Sequence, residues 1–142
     1  MRKGVVDIGT NTFNLLIADC TAQSMDILYS TKRGVALGMG GITRGIITDD
    51  AMDRGVTALS EFEQILQKFH VNDVKLIATA AVREAGNSSV FLAKVKKVIN
   101  RDVLIIDGQR EAEFIFKGVS LCHQFDSPSI IMDIGGGAQS LF

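Results

Sequence analysis

The spacing at which apolar residues recur changes along the chain, and this change restricts the fold more than any other feature of the sequence. Residues 5–19 contain two apolar runs on either side of the small polar segment 9–12, which predicts two strands joined by a turn. Residues 25–35 alternate between apolar and polar side chains and predict a third strand. From Thr48, a good helix N-cap, apolar residues recur instead at helical spacing.

The rest of the chain alternates between helices and short apolar strands. Strands are predicted at residues 74–82, 103–106 and 130–134, and helices beginning at Asn87 or Ser88 and at Gln109 separate them. The glycine-rich residues 37–45 predict a surface loop without regular structure. Because parallel strands need crossover connections, which are usually helical, this order predicts an α/β fold with a mixed sheet and helices on its faces.

Composition excludes several classes of partner. The 15 basic and 16 acidic residues give a net charge of −1, so no global field attracts a nucleic acid or an anionic membrane surface. No apolar run approaches the ~20 residues of a membrane span, and the first residues lack the pattern of a signal peptide. The two cysteines have no metal-ligand spacing and indicate free thiols. We therefore predict a cytoplasmic protein that binds neither nucleic acid nor membrane.

Two segments repeat one pattern, in which an aspartate at the end of an apolar strand leads into a turn of small residues. Such turns can direct backbone N–H groups at an anion, because short side chains let a phosphate approach the main chain. The predicted phosphate-binding residues are Gly9, Thr10, Asn11 and Thr12 in the first segment and Gly135, Gly136 and Gly137 in the second. Asp7 and Asp133 are candidate ligands of a divalent cation. Either segment alone is also compatible with a plain hairpin.

Four stretches of sequence, in this order, resemble the exopolyphosphatase and guanosine pentaphosphate phosphohydrolase (Ppx/GppA) family. They are VVDIGTNTFNLLIAD, ATAAVREAGNSSVFL, IIDGQREAEFIFKGV and IIMDIGGG. The family is part of the actin and sugar kinase superfamily, so the resemblance implies a ribonuclease H-like lobe of the actin-like ATPase type, with a mixed five-stranded sheet and helices on its faces. Sugar and acetate kinases share the turns that follow Asp-Ile-Gly, but the VREA segment and Gly108–Ala112 look specific to the phosphohydrolases.

The resemblance also assigns two catalytic residues. Glu111 matches the family's general base, and a carboxylate in the first turn of a helix can accept a proton from the attacking water. Arg83 matches an arginine that binds phosphate, and a guanidinium can clamp two phosphate oxygens. The alternative interpretations are a solvent-exposed charge at the start of a helix for Glu111 and a salt bridge to Glu84 or Glu111 for Arg83.

The end of the chain departs from the family pattern. Members usually continue the second glycine turn as Ser-Thr-Glu, whereas Ala138, Gln139 and Ser140 stand here, so one hydroxyl and one carboxylate are missing. Members also run on to complete a second lobe. We expect residues 1–124 to form the first lobe and residues 125–142 to supply the opening strand and phosphate loop of a second, so that the chain is a fragment.

The function that the resemblance implies is release of terminal phosphate from inorganic polyphosphate or from guanosine pentaphosphate, with Mg²⁺ as cofactor and a homodimer as the full-length form. One alternative is a regulatory module that binds polyphosphate or a nucleotide without turnover. Another is a phosphotransferase like the sugar and acetate kinases.

Overall fold

The structure is a computed structural model that describes residues 1–135 and 139–141, except for the side chains of Ile134 and of 139–141. Its centre is β1 (Arg2–Ile8), which pairs antiparallel with β2 (Thr12–Cys20) and parallel with β4 (Asp73–Ala78). The edge strands are β3 (Met25–Gly34) and β5 (Val103–Ile105), and the strand order is β3-β2-β1-β4-β5. The predicted mixed five-stranded sheet is confirmed.

In the part of the chain that the structure describes, four α-helices connect or follow the strands: α1 (Asp49–Lys68), α2 (Ala80–Arg83), α3 (Ser88–Val98) and α4 (Gly108–Cys122). The start of α1 is set by Thr48, whose hydroxyl accepts a hydrogen bond from the Ala51 N–H at 3.3 Å. The acidic residues Asp49 and Asp50 occupy its first turn, where they complement the helix dipole. The predicted cap is therefore confirmed.

The main core lies between one face of the sheet and the helices α1 and α3. Alternate residues of the central strands point into it because successive side chains of a strand face opposite sides. Its largest fully buried members include Ile8, Phe13, Leu15, Ile17, Leu59, Phe62, Leu66, Leu76 and Phe91. Asp7 and Ile77 alternate with these residues and face the opposite side of the sheet, which α4 partly covers.

The predicted strand at residues 74–82 is wrong in its second half. The strand ends at Ala78, and the N–H of Thr79 donates to the carbonyl of Ile8 at 3.4 Å. The chain then turns into α2, whose first hydrogen bonds include Arg83 N–H to the Thr79 carbonyl at 2.9 Å. The sequence does not distinguish a buried strand from a short buried helix here, because an apolar run is expected of both, and residues 80–82 are buried.

The glycine-rich loop is more ordered than its composition predicts. It contains a 3₁₀ turn at Ile42–Arg44, and the Gly38 N–H donates to the carbonyl of Thr10 at 3.1 Å. On its other side, the Asn87 amide accepts from the Ile47 N–H at 2.9 Å and donates to the Ile47 carbonyl at 2.8 Å. Asn87 precedes α3 but makes no side-chain capping bond to it. Its amide instead binds the backbone of Ile47, at the end of the loop.

The C-terminal residues form a separate antiparallel hairpin of β6 (Met132–Ile134) and β7 (Gln139–Leu141). The predicted strand at 130–134 is thus confirmed only for its last three residues, and β7 was not predicted. Gly136, Gly137 and Ala138 lie outside the described residues. That residues 125–142 open a second lobe stays a prediction.

Within the part of the chain that the structure describes, no helix combines the length and the apolar character needed to cross a bilayer.

Two glycines provide a matched test of the loop conformation. A Cβ at Gly41 would collide with the Ile46 carbonyl, whereas a Cβ at Gly118 in α4 would meet no atom within 4 Å. We expect Gly41→Ala to lower the free energy of unfolding by about 1–3 kcal/mol and Gly118→Ala to raise it by about 0.5–1 kcal/mol. Urea denaturation of both variants measures this. Equal effects of the two substitutions would contradict the described loop.

Candidate active site

The carboxyl ends of three parallel strands, β1, β4 and β5, meet at one edge of the sheet. A cleft of about 350 Å³ opens there, on the side that α4 covers. Its lining residues are Asp7, Ile77, Thr79, Ile106, Glu111, Phe114, Ile115 and Asp133. Ligand sites in open α/β sheets usually occupy this position, because strand ends and helix starts converge there. Three of the predicted residues, Asp7, Glu111 and Asp133, therefore share one cleft.

Glu111 reaches the cleft because α4 starts immediately after β5. The helix is capped by Asp107, whose carboxylate accepts a hydrogen bond from the Arg110 N–H at 2.8 Å. This cap places Glu111 in the first turn, close to the strand ends. Only 18% of the Glu111 side chain is exposed. Glu111 is therefore not a solvent-exposed charge at the start of a helix.

Arg83 lies at the end of α2 and contacts Glu111 directly. Its Nη1 donates to the Ile106 carbonyl at 2.9 Å and to the Glu111 Oε2 at 3.1 Å. Its Nη2 lies 3.4 Å from the Glu84 carboxylate. Both salt bridges of the alternative interpretation are thus present. They bring Arg83 next to the cleft, and its phosphate-binding role stays a prediction.

The carboxyl group of Asp7 has a shifted pKa. Burial raises the pKa of its carboxyl group above the usual value, and the negative charge of Asp133 raises it further. A hydrogen bond from the Asn14 Nδ2 to the Asp7 Oδ2, at 3.0 Å, opposes this rise in pKa. The two aspartates predicted as cation ligands are therefore close enough to repel each other.

The first predicted phosphate loop is a tight turn between β1 and β2. The Gly9 N–H donates to the Thr12 carbonyl at 3.2 Å, so it is used within the turn. The carbonyls of Thr10 and Asn11 accept hydrogen bonds from residues 35–38. Among the described residues, the N–H groups of Thr10 and Asn11 have no backbone partner. Asn11 is exposed whereas Thr10 is buried, so Asn11 is the more accessible of the two to an anion, and the phosphate-binding role of both stays a prediction.

Of the second predicted loop, the structure describes only Gly135, which is exposed at the end of β6. Gly136 and Gly137 lie outside the described residues.

Asp7 and Asp133 would provide two carboxylate ligands for a cation, which is fewer than a complete coordination sphere needs. The described residues contain no group of three or more His, Cys, Asp or Glu side chains arranged to hold a metal ion. Mg²⁺, however, commonly binds through one or two carboxylates, substrate phosphates and waters. The negative charges of Asp7 and Asp133 repel each other, and a divalent cation between them would neutralise this charge. The residues therefore fit a divalent cation.

Sequence reasoning missed three polar residues in or beside the cleft: Asn14, Thr79 and Asp107. Asn14 could have been found by counting across the first hairpin, where it is the register partner of Asp7. Asp107 carried the signal of a helix N-cap directly before the Gly-x-x-Glu segment. Thr79 was predicted to lie inside a strand, whereas it lies between β4 and α2, and no local signal in the sequence distinguishes these two positions.

The comparisons with known proteins agree with this geometry. A family model described as the Ppx/GppA phosphatase family matches residues 16–141. A guanosine-5'-triphosphate,3'-diphosphate pyrophosphatase of Pseudoalteromonas translucida is 34% identical over 134 residues, which cover 94% of this chain and 27% of the relative. Among solved structures, an exopolyphosphatase from Cytophaga hutchinsonii matches with a TM-score of 0.92 and 42% identity, over 100% of this chain and 50% of that one.

A second solved structure, the PPX-GPPA enzyme of Aquifex aeolicus, matches with a TM-score of 0.87 and 28% identity, over 99% of this chain and 47% of that one. The chain thus spans about half the length of these structures and 27% of the curated relative. The predicted actin-like ATPase fold is confirmed.

The raised pKa of Asp7 makes a testable statement about stability. The folded state holds this proton more tightly than the unfolded chain, so stability is lost as pH rises from the unfolded value of 3.8 through the folded pKa. In buffer without divalent cations, we expect Asp7→Asn to raise the melting temperature at pH 7. The gain should vanish as pH approaches 3.8.

Asp19 is the control with the opposite sign. Hydrogen bonds from Arg2 lower the pKa of its carboxyl group, so its contribution to stability is present at neutral pH and is lost as pH falls through the folded pKa. Asp19→Asn should therefore lower the melting temperature at pH 7. A melting temperature of Asp7→Asn at or below that of the wild type at pH 7 would contradict the described environment of Asp7.

Proposed function

The chain belongs to the Ppx/GppA phosphatase family, and from this membership we propose that the protein hydrolyses phosphoanhydride bonds. The proposed substrates are inorganic polyphosphate and guanosine pentaphosphate, each losing its terminal phosphate. Relatives are named for both activities, as pyrophosphatase and as exopolyphosphatase. The observation that carries the proposal is that Glu111, Asp7 and Asp133 line the same cleft.

Glu111 is the proposed general base. Hydrolysis of a phosphoanhydride needs a water aligned with the bond that breaks, and a carboxylate beside that water can orient it and accept its proton. Its side chain is mostly buried and is held by Arg83, so its position is defined before substrate arrives. The apolar residues Ile77, Ile106, Phe114 and Ile115 form the rest of the lining together with Thr79.

Asp7 and Asp133 are the proposed ligands of Mg²⁺. When bound, the ion would supply positive charge to phosphate oxygens that gain negative charge during the reaction. The protein's own part is to hold two carboxylates at one side of the cleft, with Asp7 on the rigid central strand.

The turn at residues 9–12 is the proposed cradle of the phosphate. The backbone N–H groups of Thr10 and Asn11 are its proposed donors to an anion, and the glycines of the second turn are proposed to act in the same way. Arg83 is proposed to contact the phosphate from the other side. A guanidinium has five N–H donors, so its three bonds to Ile106, Glu111 and Glu84 do not exhaust it.

One feature favours a binding module without turnover as the second candidate. Gln139 and Ser140 occupy positions where the family pattern has a hydroxyl and a carboxylate, so part of the usual polar set is absent. Such a module would retain affinity for polyphosphate or the nucleotide while releasing no phosphate.

We further propose a cytoplasmic location and a homodimer for the full-length protein. The free thiols of Cys20 and Cys122 fit a reducing compartment. The near-neutral net charge of −1 offers no general attraction for nucleic acid or anionic membrane.

Glu111→Gln tests the proposed base in the full-length protein. The amide keeps the shape of the side chain but does not accept a proton, so we expect phosphate release from both substrates to fall by roughly 10²- to 10⁴-fold. Substrate binding should persist, because the phosphate donors are unchanged. Glu113→Gln, two positions along the same helix at an exposed site, is the control and should retain activity.

Unchanged turnover of Glu111→Gln would remove this residue from the mechanism. Substrate binding by the wild type without phosphate release would instead support the binding module. ATP-dependent phosphorylation of an acceptor would support the kinase-like alternative.

Arg83→Lys tests the proposed phosphate contact. Lysine keeps the positive charge but lacks the planar fork that holds two oxygens at once. We expect kcat/KM for polyphosphate to fall about tenfold or more, which corresponds to loss of one charged hydrogen bond of ~1.5–3 kcal/mol. Steady-state kinetics measures this. A kcat/KM equal to that of the wild type would contradict a direct role.

A further inference from the structure

Asn14 lies directly opposite Asp7 in the hairpin of β1 and β2. The two residues are register partners, so their side chains project from the same face of the sheet and lie within reach of each other. The Asn14 Nδ2 donates to the Asp7 Oδ2 at 3.0 Å. Asn14 is exposed whereas Asp7 is half-buried, so Asn14 lies at the solvent side of the pair.

We propose that Asn14 is a positioning residue that orients the Asp7 carboxylate for a divalent cation. This inference rests on the proposed function, in which Asp7 and Asp133 hold that cation. A carboxylate rotates freely about its last bond unless a partner fixes it, and the Asn14 amide supplies such a partner. Because the amide occupies Oδ2, it leaves Oδ1 of Asp7 for the ion.

The chemistry of the amide suits this role better than that of a charged group. An arginine or lysine at position 14 would add a positive charge beside Asp7 and reduce the negative charge available to a cation. An aspartate would add a third negative charge and would offer no donor. A neutral donor fixes the carboxylate and leaves the negative charge of Asp7 and Asp133 in place.

No other described side chain makes a hydrogen bond to Asp7. The strand neighbour of Asp7 is Ile77, which is apolar, and the charge of Asp133, which lines the same cleft, repels that of Asp7. Loss of the Asn14 amide would therefore remove the side-chain hydrogen bond that the described residues make to this carboxylate. Partners of this kind typically change metal affinity by roughly 10- to 100-fold when removed.

The test is calorimetric titration of the full-length protein with Mg²⁺, and with Mn²⁺ as a second probe, for the wild type and five variants. Asn14→Ala and the nearly isosteric Asn14→Leu remove the donor, and both should weaken cation binding about tenfold. Asn14→Gln keeps an amide at an exposed position and should recover most of that loss. Asn100→Ala removes an exposed asparagine outside the cleft and should bind as the wild type does.

Asp7→Asn separates this inference from the proposed function. If Asp7→Asn abolishes binding while Asn14→Leu binds as the wild type does, the cation site stands and the role of Asn14 is wrong. If Asp7→Asn also binds as the wild type does, the proposed cation site is wrong and the inference fails with it. Melting curves of each variant show that it is folded, and Asn14→Leu keeps the test valid if Asn14→Ala unfolds.

Discussion

The parallel pairing of β1 with β4 is the constraint on which the rest of the site depends. In this register Asp7 lies beside Ile77, and Ile8 lies beside Ala78. Ile8 and Ala78 are fully buried in the core, so Asp7 and Ile77 must face the other side. A slip of one residue would drive the Asp7 carboxylate into the core and turn apolar side chains toward the cleft. Burial of the core residues therefore fixes the register of β1 and β4, and this register places Asp7 in the cleft.

The cleft combines features that oppose stability with features that suit catalysis. Two aspartates repel each other across it, and burial disfavours the charged form of Asp7. Glu111 is held by Arg83 in a mostly buried pair. Repulsion between buried carboxylates is typical of functional sites. A bound cation would supply the positive charge that offsets it. The local hydrogen bonds of Asn14 and Asp107 keep these groups in place.

Much of the fold followed from the spacing of apolar residues, and the errors have physical causes. The strands of the first hairpin and the helix after Thr48 were predicted because each has a clear period and a local stop signal. The end of β4 was missed because Thr79 begins a turn inside an apolar stretch, where burial hides the change of conformation. The pairing of β6 with β7 was missed because so short a strand carries no periodicity.

Of the candidate site, the sequence singled out both aspartates and Glu111, which line one cleft, and their roles stay predictions. Asn14 was not predicted, because its contact to Asp7 depends on the register of two strands and not on a motif.

The most direct test of the account is an anomalous-diffraction structure of the full-length protein with Mn²⁺ and a non-hydrolysable polyphosphate analogue. The account predicts the metal on the Asp7 and Asp133 carboxylates, with the terminal phosphate one water away from Glu111. Metal and terminal phosphate bound outside the cleft, away from Glu111, would contradict it.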